Sequence, residues 1–217
     1  TLVGPFLIFA GFFSGAPLTT VVSAPSVQSK TFCNPINLDY RFQPNGPCRR
    51  EAADPVVVVF KGAYYLFASK SGGYWHSTDF HDWRLIEPEG LPILEKYAPS
   101  VIVKDDGLFY TAQSSDLYFT LDPLQGKWEK SSRLKGFMDP ALFVDEDGKT
   151  YMYSGLSPNG SITGVLLDAG NGFKLVGNPV QLMTADYARR GWERFGEENL
   201  GGRYLNGKWG DFPYIEG

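Results

Sequence analysis

Histidine and cysteine are nearly absent. The 217 residues hold two of each, His76, His81, Cys33 and Cys48, too few for a metal cage built on imidazole and thiolate. Basic charge is not in excess either: 20 Lys and Arg against 24 Asp and Glu leave a net charge of -4. That balance excludes a broad positive surface for nucleic acid or anionic lipid. No G-x-S-x-G elbow, phosphate loop or G-x-G-x-x-G turn occurs, which removes the common nucleophile-elbow and nucleotide-binding chemistries. No apolar run reaches the roughly 20 residues that a membrane-spanning helix needs. What is plentiful is aromatic and turn-forming, with 16 Phe, 12 Tyr, 5 Trp, 25 Gly and 15 Pro. Short strands joined by turns follow from such a mixture, and long helices do not.

The most apolar stretch, residues 2–13, reads LVGPFLIFAGFF and carries Gly4 and Pro5. A small, polar segment follows and ends in Val22-Ser23-Ala24, which fits the small-x-small cleavage rule. Residues 1–24 are expected to be an export signal and residues 25–217 to work outside the cytoplasm, with no membrane attachment after cleavage. The alternative is a buried N-terminal strand. Export permits a Cys33–Cys48 bridge, a loop closure worth about 3 kcal/mol. Two buried free thiols are an equal alternative.

An internal repeat organises the rest. DPVVVVFKGAYYLFAS from Asp54, APSVIVKDDGLFYTAQS from Ala98 and DPALFVDEDGKTYMYSG from Asp139 superimpose. Each sets a small or acidic residue before Pro, then apolar β-formers, a turn at Gly62, Gly107 or Gly148, and a strand rich in Tyr and Phe. The glycines are expected to supply the positive φ of tight hairpin turns, and Pro is tolerated at the first position of a strand. A second half also repeats: a strand, an Asp turn (Asp79, Asp122, Asp168) and an aromatic closing the next strand (Trp83, Trp128, Phe173). Four strands recurring between Pro55, Pro99 and Pro140 are the period of a β-propeller blade. After the third unit, DYARRGWERFGEENLGGRY reads as an inserted loop, Asn206-Gly207 as a hairpin turn and Tyr214–Gly217 as the start of another inner strand. The expected fold is all-β, a propeller of which this sequence supplies about three and a half blades.

Inner strands line the central channel, so their first residues face one mouth of it. Asp54 and Asp139 share that position in units one and three, Ala98 takes it in unit two, and Glu216 stands near the start of the next inner strand. Carboxylates converging on a cleft suit hydrolysis of a glycosidic bond, where one must be protonated and another must activate water. A bound cation is the rival use. Asp145-Glu146-Asp147-Gly148 starts like a calcium loop but lacks the downstream ligands, so it reads as a solvated hairpin turn. His76 and His81 read as surface or packing residues; Lys70 could point at a ligand, but a lone lysine beside a turn is usually solvated. Trp75, Tyr97 and Trp192 are candidate sugar-stacking residues, because each lies near a strand end or in the inserted loop. Ordinary blade packing is the alternative for all three.

These segments resemble glycoside hydrolase family 43, whose members are five-bladed propeller glycosidases acting on plant-type polysaccharides. The resemblance runs from about Asn34 to Gly217. It rests on EAADPVVVVFKGAYYLFASKSGGYWHSTDFHDW, YAPSVIV, MDPALFVDEDGKTYMYSG and the terminal IEG. It implies that Asp54 is the general base, that Asp139 tunes and orients the acid, and that Glu216 is the general acid of an inverting enzyme. Inversion sets an expected separation of roughly 6.5–9.5 Å between the Asp54 and Glu216 carboxyls, with Asp139 nearer to Glu216. The stretch NPINLDYRFQ and the insertion RRGWERFGEEN exceed the simplest family pattern, which points to a distinctive subfamily. The family often places a channel His with a water or calcium ion in a later part of the ring, so no metal and no cofactor is assigned to the residues present.

The functional expectation is therefore an exported inverting glycosidase with an oligosaccharide or polysaccharide substrate. β-Xylosidase, α-L-arabinofuranosidase and galactan-directed activities are the candidate specificities. The alternative from another class is a non-catalytic carbohydrate-binding propeller, which would have no need of a matched acid and base.

Overall fold

The computed structural model describes residues 38–39, 51–92, 96–134, 136–157, 161–186, 188–193, 203–205, 208–210 and 215–216. The expected export signal, Cys33 and Cys48 lie outside the described residues. Three four-stranded antiparallel sheets follow one another along the chain. The first comprises β1 (Val56–Phe60), β2 (Ala63–Phe67), β3 (Tyr74–Ser77) and β4 (Arg84–Ile86). The second comprises β5 (Ser100–Lys104), β6 (Gly107–Thr111), β7 (Leu117–Thr120) and β8 (Glu129–Ser132). The third contains β9 (Ala141–Val144), β10 (Thr150–Ser154), β12 (Ser161–Asp168) and β13 (Lys174–Thr184), while β11 (Leu156–Ser157) leaves it to pair with β16 (Ile215–Glu216). Each sheet is ordered in sequence from its first strand to its last, the up-and-down pattern of a propeller blade. The fold is all-β, and these are blades of a propeller.

Blades pack face to face through apolar side chains. Phe60, Tyr65, Phe67, Tyr74 and Ile86 of the first blade form one buried cluster with Val101, Leu108, Tyr110 and Trp128 of the second. Ile102 and Leu117 of the second join Leu142, Met152, Val165, Leu167 and Phe173 in another. Each such side chain stabilises the packing by about 1.5–3 kcal/mol when fully buried. Polar clasps set the register between blades at their turn ends, where Lys61 Nζ donates to Leu121 O at 3.0 Å and Lys104 Nζ to Gly148 O at 3.1 Å. These clasps are exposed and contribute little energy beside the clusters.

Two local expectations need correction. Gly107 does not supply the positive φ of the second blade's hairpin. Asp105 does, at φ 51°, because Lys104 pairs with Gly107 and the two-residue loop is Asp105-Asp106. Gly107 is needed for space instead, since a Cβ there would come within 2.2 Å of the Phe119 ring. Trp83, Trp128 and Phe173 do not close the outer strands but stand immediately before β4, β8 and β13. The outermost strand of the third blade is the longest of the described strands. β13 runs eleven residues, all exposed, through Gly177 and Pro179, and Pro179 is tolerated because, among the described residues, β13 has no ladder partner on its far side. β14 (Arg203–Leu205) and β15 (Lys208–Gly210) pair with Leu205 opposite Lys208, the hairpin expected around Asn206-Gly207.

Candidate active site

The repeat places Asp54, Ala98 and Asp139 at the same point, immediately before each blade's first strand. All three hold a left-handed backbone, with φ of 53°, 49° and 44°. For a non-glycine residue this conformation costs of order 1–2 kcal/mol, and the following Pro restricts it further. Ala98 has no polar side chain to favour it, so the conformation belongs to the blade entry and not to the carboxylates.

Hydrogen bonds hold these entries in place. The N–H of Ser69 donates to Ala53 O at 2.8 Å, that of Gln113 to Tyr97 O at 2.9 Å, and that of Gly155 to Met138 O at 2.9 Å. The segment just after each blade's second strand is thus tied to the residue before its own entry. The next residue along is tied to the following blade: Lys70 N–H donates to Lys96 O at 3.1 Å and Ser114 N–H to Phe137 O at 2.7 Å. In the third blade the corresponding residue, Leu156, pairs with Glu216. The backbones of Asp54, Ala98, Asp139 and Glu216 therefore follow one another around one end of the inner strands. Only the backbone of Glu216 is described, so the expected carboxyl separations involving it lie outside the described side chains.

Asp54 is exposed, and its Oδ2 accepts a hydrogen bond from Ser69 Oγ at 2.6 Å. Asp139 is half-buried. Beside Asp54, Lys70 is not the solvated lysine expected from its turn. Its side chain is 16% exposed, with Nζ 4.0 Å from the Tyr97 ring centroid and 4.0 Å from Glu51 Oε2. Burial of the stem and attraction to the ring face hold it there. Tyr97 thus lies next to the Ala98 entry with the Lys70 ammonium over its ring.

The other two aromatic candidates part company. Trp75 is 1% exposed, and its Nε1 donates to Asp39 O at 2.7 Å. No ring face is left for a sugar, so Trp75 is a packing residue of β3, where both sides of the sheet are covered. Trp192 is 68% exposed on a short 3-10 turn, Gly191–Glu193. That turn is braced by Arg190 Nε on Glu193 Oε1 at 2.6 Å and by Glu193 N–H on Arg190 O at 3.0 Å.

The remaining polar candidates lie elsewhere. His76 packs on Tyr65, and burial followed by nearby Arg84 lowers its pKa. His81 is exposed and lies 3.0 Å from Asp82 Oδ1. Asp145–Gly148 is a hairpin turn closed by Gly148 N–H on Asp145 O at 2.9 Å, with Asp147 engaged by Lys149. Among the described residues, no three His, Cys, Asp or Glu side chains cluster closely enough to hold a metal ion. A cleft of about 460 Å³ lined by Lys104, Lys149, Thr150, Asp168 and Val176 lies at the turn ends of β5 and β10, away from the blade entries.

Sequence reasoning missed Ser69, Glu51 and the placement of Lys70. The repeat alignment held a signal for Ser69, because its equivalents are Gln113 and Gly155 and only the first blade has a hydroxyl there.

Comparison with known proteins adds the following. Residues 45–196, more than half of the chain, match the model of the family described as Glycosyl hydrolases family 43. A xylosidase/arabinosidase 43A of Humicola insolens is 27% identical over 140 residues, covering 48% of this chain and 43% of that protein. The chain therefore spans less than half the length of that relative. Among solved structures, a thermostable family-43 glycoside hydrolase is 25% identical, with a TM-score of 0.46 over 66% of this chain and 56% of its own. An arabinoxylan arabinofuranohydrolase of Bacillus subtilis is 18% identical, with a TM-score of 0.47 over 61% and 41%. An exo-1,5-alpha-L-arabinanase from a bovine ruminal metagenomic library is 20% identical, with a TM-score of 0.49 over 64% and 57%.

Proposed function

The chain belongs to glycosyl hydrolases family 43, and from that premise we propose that the whole protein is an exported, inverting glycosidase acting on pentose-containing plant polysaccharides or their oligosaccharides. One observation carries the reading. Asp54 and Asp139 occupy the same blade-entry position, and the strand bearing Glu216 joins the series at Leu156. Two aspartates at equivalent blade entries, with a glutamate on the strand that pairs beside the third blade, suit a two-carboxylate hydrolysis with a tuning group.

In the proposed mechanism, the Asp54 carboxylate takes a proton from a water as the water attacks the anomeric carbon. Glu216 gives its proton to the departing oxygen as the glycosidic bond breaks. The charge of Asp139 favours the protonated form of Glu216 and orients it. Tyr97 and Trp192 are the proposed sugar contacts. The name of the Humicola insolens relative favours xylose- or arabinose-containing chains over galactan. Export rests on the apolar run and small-residue segment of residues 1–24.

The test is turnover of the full-length protein on aryl β-D-xylosides and α-L-arabinofuranosides with good and poor leaving groups. Asp54→Asn should abolish hydrolysis of all of them. Glu216→Gln should slow poor leaving groups far more than activated ones, whose departure needs little protonation. Full turnover by Asp54→Asn, or binding of arabinoxylan by the wild type without release of reducing sugar, would overturn the reading.

A further inference from the structure

Ser69 stands in the turn two residues after β2 of the first blade and is completely buried. Its single side-chain oxygen makes two hydrogen bonds: Ala98 N–H donates to Oγ at 2.8 Å, and Oγ donates to Asp54 Oδ2 at 2.6 Å. We propose that Ser69 is a positioning residue for Asp54, wired from the backbone of the second blade so that its hydroxyl proton is aimed at one carboxylate oxygen. This deepens the glycosidase reading and rests on it.

The wiring follows from valence. A serine hydroxyl has one proton and two acceptor lone pairs. Ala98 N–H has no proton-accepting capacity, so it occupies a lone pair, and the one O–H is left for Asp54. The 2.6 Å separation is in the range of hydroxyl-to-carboxylate bonds, roughly twice as strong as neutral ones. The Ser69 N–H on Ala53 O at 2.8 Å fixes the same residue to the backbone just before Asp54. Asp54 is exposed, so without this bond its carboxylate would rotate freely in solvent. With it, Oδ2 is pinned, which leaves Oδ1 as the oxygen to take the water's proton in the proposed mechanism.

The repeat shows that the device is specific to the base. Gln113, the equivalent of Ser69 in the second blade, approaches Met138 Sδ with its amide, at 3.7 Å. Gly155, the equivalent in the third, has no side chain, and a Cβ there would lie 2.8 Å from Ser161 O. The scheme also gives Ala98 a reason: it occupies an entry where its neighbours carry Asp, yet contributes only its N–H. An acidic side chain there would add a second negative charge beside the Ser69–Asp54 pair.

A purely structural role, stapling the first blade to the second, uses the same Ala98 bond and must be separated from positioning. The experiment is steady-state kinetics of the full-length protein with Ser69→Ala and the isosteric pair Ser69→Thr and Ser69→Val. Good and poor leaving groups are both used, and thermal melts monitor folding. Loss of one charge-assisted hydrogen bond to the base predicts a kcat roughly 10- to 100-fold lower for Ser69→Ala. The drop should be equal for both leaving-group classes, with KM within about twofold of wild type. Ser69→Thr should exceed Ser69→Val in kcat by a similar factor, since the two differ only in the hydroxyl; this pair decides the matter if Ser69→Ala does not fold. Equal kcat for Thr and Val, or an Ala variant that changes KM alone, overturns the proposal. The underlying reading fails separately: if Asp54→Asn retains turnover, the glycosidase assignment falls, whereas an inactive Asp54→Asn beside unaffected Ser69 variants removes only this inference.

Discussion

The joint between the first two blades offers a quantitative test through Tyr74→Phe. Tyr74 is fully buried, its ring stacked on Phe67 with centroids 4.7 Å apart. Its hydroxyl donates to Pro123 O at 2.5 Å and accepts from Trp128 Nε1 at 3.2 Å. Burial pushes the hydroxyl pKa well up, so it stays protonated and able to do both. Removing the oxygen leaves the two partners in different positions. Pro123 O keeps a second donor, Gly126 N–H at 3.2 Å, while the indole N–H of Trp128, itself 5% exposed, loses the hydroxyl it donates to. The loss is one net hydrogen bond plus the desolvation of a stranded donor, together about 2–4 kcal/mol. For a chain of this size that is a drop of roughly 5–15 °C in Tm. Urea unfolding of wild type, Tyr74→Phe, Trp128→Phe and the double variant measures it. The double variant should be more stable than the sum of the singles by about 1 kcal/mol or more, since the stranded donor is gone. A Tyr74→Phe cost below about 0.5 kcal/mol, with strictly additive singles, would refute a hydroxyl-centred joint.

Much of the fold was legible because it is repetitive. The Pro, apolar strand, Gly and aromatic order at Asp54, Ala98 and Asp139 located three blades, and the same register set the two aspartates at one end of the inner strands. What the sequence hid was set by partners distant along the chain. The Ser69 relay joins residues 15 and 29 positions apart, and the repeat marks Ser69 only as the one hydroxyl among three equivalent positions, without indicating its partners. Trp75 looked available because it is near a strand end, but a blade covered on both faces buries adjacent residues on opposite sides of the sheet, so alternation does not mark an exposed side. β13 shows the converse, since Gly177 and Pro179 are turn-formers that an outermost strand nonetheless accommodates within its length. The Gly107 error has the same origin: Asp-Gly is a turn signal, but the demand there was room for the Phe119 ring.

Two further outcomes are expected. Burial, the first cause in each case, raises the pKa of Tyr74 and Tyr110 above the ordinary 10.0. The folded state therefore keeps protons that the unfolded chain releases, and their contribution is complete below pH 10.0 and lost as pH rises through the raised folded values. The urea midpoint should fall steeply above about pH 10, and less so in Tyr110→Phe; a midpoint unchanged up to about pH 11.5 would contradict this. Trp192→Ala should weaken binding of arabinoxylan roughly 2- to 10-fold while leaving small aryl glycosides unaffected. Equal effects on both in titration and kinetics would remove Trp192 as a contact for the extended chain.

The central claim is that Asp54 activates water on one face of the sugar while Glu216 protonates the leaving oxygen on the other. Proton NMR of the first minutes of hydrolysis by the full-length protein, on an aryl glycoside it turns over, reads that directly. The account predicts that the first-formed sugar has the opposite anomeric configuration to the substrate and equilibrates only afterwards by mutarotation. A first-formed product that retains the substrate's configuration would require a carboxylate nucleophile in place of a water-activating base, and would contradict it.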